Sequence, residues 1–139
     1  MNDNRIIVRS NQDSITILSE YLNNLFKNKI SEEDNHAIHL AVEEVVVNII
    51  THGYNNSEGI IEILCQIKDS YIIIHICDYA PPFNPLFLPT PDLEADLIDR
   101  QIGGLGVHLI KSLMDEVEYK KTEEGNHLIL KKRISPHIL

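Results

Sequence analysis

A carboxylate and a carboxamide, Glu44 and Asn48, stand four residues apart in HLAVEEVVVNIITHGY, the largely aliphatic run from His39 to Tyr54. On a helix, residues four apart share a face, so both side chains address one place. Burying an amide without a partner costs roughly 2–7 kcal/mol, and a charge costs more, so these groups call for something to bind. A carboxylate in such a place suits a general base, and a carboxamide oxygen suits a hard cation. Two other features offer complementary chemistry. Asp78 supplies an acceptor at a strand end, and Gly103 to Gly106 precede Val107, Ile110, Lys111 and Met114 in helical spacing. Free amides at a helix start, with the helix dipole behind them, attract anions such as phosphate. Each feature alone has a plainer reading: a boundary residue, a strand terminator, a tight turn that needs glycine. Their order and separation in one chain join them.

The elements that must hold these groups follow from hydrophobic periods. A strand is expected at residues 5–9. Asn11 or Asp13 caps a helix to about residue 29, with Ile15, Leu18, Leu22 and Leu25 as its apolar stripe. Ser31 and Asp34 form a capping-box-like start to a second helix, with Glu32 and Glu33 in the favourable first turn. That helix is expected to run to about His52 and stop at Gly53. Val45 to Ile50 is β-branched apart from Asn48, and propensity alone allows a strand there, but length and the acidic start favour helix.

Two period-two runs follow. Ile61, Ile63, Cys65 and Ile67 share one face, and Ile72, Ile74, Ile76 and Asp78 share another, with a hairpin turn at Lys68-Asp69-Ser70. Asp78 therefore continues the core side of its strand. From Ala80 to Gly104 the prolines at 81, 82, 85, 89 and 91 suppress helix and central strand. A loop this long in a small domain is more often functional than accidental. Final strands are expected at 116–121 and 126–133, joined by Glu123-Glu124-Gly125. The fold class is thus α+β: a two-layer sandwich with a mixed, mostly antiparallel sheet packed against about three helices, a single domain spanning 1–139.

With 139 residues, 43% hydrophobic and 24% charged, the chain has the makings of one globular core. Its net charge of -9 argues against nucleic acid as the main partner; Lys131, Lys132 and Arg133 form its one basic run and read as a solvated strand edge. No apolar stretch approaches the ~20 residues of a membrane span, and MNDNRIIVRS lacks a signal peptide's apolar core. Cys65 and Cys77 make neither a disulfide framework nor a metal spacing, which suits a reduced, cytoplasmic setting.

At these residues the sequence resembles the GHKL (Bergerat-fold) ATP-binding family, and within it the bacterial anti-sigma factor serine/threonine kinases. Glu44 and Asn48 match an E-x-x-x-N helix motif, and Asp78-Tyr79-Ala80-Pro81-Pro82-Phe83-Asn84-Pro85 matches a D-x-G-x-P-F-like box. Gly104-Leu105-Gly106 matches a G-x-G box, and Gly125-Asn126-His127 through Lys131 a closing G-N-x-x-x-L-x-K pattern. The resemblance covers essentially the whole chain. It implies ATP and Mg²⁺, with Asn48 on the metal, Glu44 as base toward the attacking hydroxyl, and Asp78 accepting the adenine amino proton. It also implies phosphate contacts from Gly104, Leu105 and Gly106, an ATP lid at about 85–103, and a phosphate within reach of Arg100. His52 suits a helix C-terminal position. The expected partners are a STAS-domain antagonist and a sigma factor, with a homodimer possible. One departure stands out: Ala80 replaces the box's first glycine, which serves positive φ or close backbone approach. Two alternatives stay open: a nucleotide-gated partner-switching module without phosphotransfer, and an orphan histidine-kinase-type catalytic domain.

Overall fold

A computed structural model describes residues 4–82 and 104–134; the expected lid, Gly103 and Arg100 lie outside the described residues. In chain order the elements are β1 (Asn4–Arg9), α1 (Asp13–Phe26), α2 (Glu32–Asn48), a π-helical turn (Ile49–Gly53), β2 (Ile60–Lys68), β3 (Tyr71–Asp78), α3 (Gly104–Leu113), β4 (Glu116–Lys121) and β5 (Asn126–Arg133). The five strands form one sheet in the order β1-β2-β3-β5-β4. Every neighbouring pair is antiparallel, so the parallel pairing that a mixed sheet would contain is absent among the described residues.

Local chemistry sets the element ends. The Asn11 side chain accepts from Ser14 N at 3.1 Å, and the Ser31 hydroxyl accepts from Asp34 N at 3.1 Å, so both expected caps form. Helix α1 stops at Phe26, short of residue 29, because Lys27 is extended (ψ 128) and Asn28 turns left-handed (φ 62). Asparagine tolerates that conformation, so no glycine announces the stop. Lys68 pairs with Tyr71 across a two-residue turn in which Asp69 has φ 56.

Alternation puts Ile61, Ile63 and Cys65 of β2 and Ile72, Ile74 and Ile76 of β3 on the buried face. Leu18, Leu22 and Phe26 of α1 and Val42, Val45 and Val46 of α2 belong to the same core. Each such side chain contributes about 1.5–3 kcal/mol on burial. Helix α3 packs on α2 and adds Ile110 to this layer. The helices cover one face of the sheet. Asp78 ends β3 on the covered face, 4% exposed.

Candidate functional site

Asn48 is the last residue of α2 and is 3% exposed. Its Nδ2 is one of three buried side-chain atoms without a hydrogen-bond partner among the described residues. A buried amide left unpaired is costly, which marks the spot as a place for a ligand. Rotation about the Cβ–Cγ bond presents Oδ1 there instead.

Directly after Asn48 the helix widens. Tyr54 N donates to Ile49 O at 2.8 Å, one residue further back than an α-helix allows. The expected stop at Gly53 holds, but its final turn is π-helical. Tyr54 then anchors the exit: its hydroxyl donates to Ile60 O at 2.6 Å and accepts from Tyr79 N at 2.8 Å. Gly59 makes room for this ring, since a Cβ there would stand 2.3 Å from Tyr54 Cε1. One hydroxyl thus ties the residue after the π-helical turn to the start of β2 and to the residue after β3. His52 lies in the last turn of the π segment.

Asp78 Oδ1 accepts from Ala80 N at 3.0 Å and from Asn126 Nδ2 at 2.9 Å. Asn126, 3% exposed, also donates to the carbonyls of Ala80 and Pro81, each at 3.2 Å, and its Oδ1 accepts from the Tyr119 hydroxyl. Burial raises the Asp78 pKa, and the bonds from Asn126 and Ala80 pull it back down. The net effect is a raised pKa, with the two bonds to Oδ1 offsetting part of the burial, and the arrangement leaves Oδ2 as the acceptor to offer.

Ala80 carries no backbone strain. It is absent from the positive-φ residues, and its methyl is buried in the core at 3% exposure. The steric limit lies across the sheet, at Gly125. A Cβ on Gly125 would stand 1.9 Å from Asp78 O and 2.7 Å from Tyr79 Cα.

Glu44 lies one turn before Asn48 and is half-buried. Burial, and secondarily the charge of Glu43, raise its pKa, which strengthens it as a base. Gly104, Leu105 and Gly106 form the first turn of α3 as described, the position that free amides would need. Asp78, Ala80 and Asn126 are therefore in direct contact, and Tyr54, six residues after Asn48, bonds the backbone of Tyr79 next to them. In the sequence Asn126 appears only as part of the closing motif, with no partner assigned, and Tyr54 only as the end of the aliphatic run. The signal for Asn126 was available: it shares the period-two face of Leu128 and Leu130, as Asp78 shares that of Ile74 and Ile76.

The family model described as "Histidine kinase-like ATPase domain" matches residues 8–132. An anti-sigma F factor of Clostridium novyi is 37% identical over 103 residues, covering 68% of this chain and 67% of that protein. A protein named serine/threonine-protein kinase BtrW, from Bordetella bronchiseptica, is 26% identical over 98 residues, covering 70% of this chain and 69% of its own. Among solved structures, one of the RsbU and RsbW domains of a Mycobacterium tuberculosis protein superposes with a TM-score of 0.66 at 15% identity. It covers 99% of this chain, which spans only 34% of that longer one, and the likeness establishes the shared fold.

Proposed function

Since the chain belongs to the histidine kinase-like ATPase domain family, we propose that it is an ATP-dependent serine/threonine protein kinase of the anti-sigma type. It phosphorylates a STAS-domain antagonist and sequesters a sigma factor while the antagonist is phosphorylated. The observation that carries this reading is the orphaned amide of Asn48, one helical turn after Glu44, in a fold that also buries the Asp78–Asn126 pair. The names of the relatives in Clostridium novyi and Bordetella bronchiseptica support the regulatory part.

In this reading Asp78 Oδ2 accepts from the adenine amino group, and Asn126 keeps the carboxylate turned toward it. The amides of Gly104 to Gly106 hold phosphate oxygens at the start of α3. The buried carboxamide of Asn48 fits a hard cation through Oδ1; Mg²⁺, when bound, neutralises phosphate charge. Glu44 orients the incoming serine or threonine hydroxyl and takes its proton. The hydroxyl oxygen bonds to the γ-phosphorus as the β–γ bridging bond breaks, and ADP leaves. Positioning contributes most of the rate, and the base about 10²–10⁴-fold.

The test is transfer of label from ATP to a cognate antagonist in Mg²⁺, comparing wild type with Glu44→Gln. Wild type is expected to transfer, and the variant to bind ATP yet transfer roughly 10²–10⁴-fold more slowly. Equal rates for both proteins contradict the assignment of Glu44. ATP binding without transfer by wild type selects the nucleotide-gated module instead. The free thiols of Cys65 and Cys77 suit the reduced cytoplasm in which such regulators act.

A further inference from the structure

Lys132 belongs to the basic run 131–133 that the sequence places at a solvated strand edge, yet its side chain is only 18% exposed. Alternation explains why: it continues the covered face of β5 after Asn126, Leu128 and Leu130. Its Nζ donates at 3.1 Å to Leu113 O, the carbonyl of the last residue of α3, and stands 4.0 Å from Asp34 Oδ1. Asp34 lies in the first turn of α2 and is itself 15% exposed. The last carbonyls of a helix lack partners inside it and carry the negative end of its dipole, so an ammonium there answers both needs. The chain leaving α3 is fastened to the same strand. Asp115 N donates to Lys131 O at 2.9 Å, and Asp115 Oδ2 accepts from Arg133 N at 2.6 Å. The far end of α3 is thus held against both β5 and the start of α2.

We infer that Lys132 is a positioning residue for the nucleotide site: it fixes the far end of α3 so that the amides of Gly104 to Gly106, at the near end, face the phosphates. This rests on the phosphate-binding role proposed for those amides. A helix of ten residues is about 15 Å long and moves as one rod, so a tilt at Leu113 swings the amides at its start. The register sets Asn126 opposite Asp78 and Lys132 opposite Ile72, near the two ends of β5. One strand therefore serves both halves of the site: Asn126 orients the adenine acceptor, and Lys132 aims the helix that meets the phosphates. Removing the ammonium should weaken phosphate binding and leave adenine binding alone. Lys131 provides the contrast. It faces the other side of the sheet, 4.4 Å above the Tyr71 ring and 3.3 Å from Glu116.

The test measures dissociation constants for Mg-ATP by titration calorimetry and for adenosine by nuclear magnetic resonance titration, in the full chain. Lys132→Met and Lys132→Gln keep the aliphatic stem and remove the charge, and melting curves establish that each is folded. Lys131→Met removes the same charge from the outer face, and so controls for general attraction of an anion to a chain of net charge -9. Both Lys132 variants should lose roughly 3–30-fold in ATP affinity at unchanged adenosine affinity, whereas Lys131→Met should keep the wild-type ratio. A general loss of stability would lower both affinities together and leave that ratio where it was. An unchanged ratio in a folded Lys132 variant, or an equal loss of ATP affinity in Lys131→Met, overturns the inference while the nucleotide site stands. A wild type that binds no ATP overturns the nucleotide site itself, and the inference with it.

Discussion

Gly125→Ala adds one methyl group where three backbone atoms leave no room. The new Cβ would meet Asp78 O at 1.9 Å, Tyr79 Cα at 2.7 Å and Asp78 C at 2.8 Å. Comfortable carbon contacts lie near 3.5–4.0 Å, and none of these atoms can rotate aside, so the β4–β5 turn must retreat from β3 by more than about 1 Å. The Asn126–Asp78 bond of 2.9 Å and the Asn126 bonds of 3.2 Å to Ala80 and Pro81 would then exceed hydrogen-bond range. Overpacking costs about 1–3 kcal/mol, and losing a hydrogen bond to a charged group costs about 1.5–3 kcal/mol. These costs share one cause and add incompletely. The expected loss is roughly 2–5 kcal/mol, a fall in Tm of roughly 8–20 °C for a chain of this size. ATP affinity falls with it, because Asp78 loses the partner that orients it. Calorimetric melting and ATP titration, each against wild type, measure both effects. A variant that melts with wild type and binds ATP equally well would refute the close approach as a determinant of the site.

Asn48→Ala removes an unpaired amide, so stability by urea melting should change by less than about 1 kcal/mol while Mg-ATP binding is lost; a large stability loss would show that the amide has an internal partner. Tyr54→Phe deletes the bonds to Ile60 O and Tyr79 N and leaves both groups unsatisfied, costing about 1–3 kcal/mol in the same assay. ATP affinity should fall as pH drops through the raised pKa of Asp78, since a protonated carboxyl no longer accepts at both oxygens. Asn126→Leu removes one of the two bonds that lower that pKa, so the acid fall should begin at higher pH; an unmoved profile by titration calorimetry would exclude this coupling.

The strands were legible because a sheet covered on one face writes itself as period-two alternation. That same alternation places Asp78 on the core side, where the structure buries it. The caps at Asn11 and Ser31 were legible because they depend on chemistry within one turn. Effects carried by distant backbone were hidden. The π-helical turn after Asn48 depends on Tyr54 reaching Ile60 and Tyr79, and the β-branched run before it signals only helix against strand. The meaning of two methyl positions was also reversed. Ala80, where the family pattern has glycine, is unstrained, whereas Gly125, which a turn alone would explain, meets the backbone of Asp78 from the far side of the β3–β5 pair.

Isothermal titration of ATP in Mg²⁺ into wild type and Asp78→Asn tests the central claim most directly. Asp78 has a folded pKa raised above its ordinary value, so its stabilising contribution is present at low pH and lost as pH rises through that raised value. An uncharged asparagine avoids this loss and still accepts through Oδ1 from Ala80 N and Asn126 Nδ2. The account therefore predicts a variant at least as stable as wild type at neutral pH that no longer binds ATP, beside a wild type that binds one equivalent. Undiminished ATP binding by folded Asp78→Asn would contradict it.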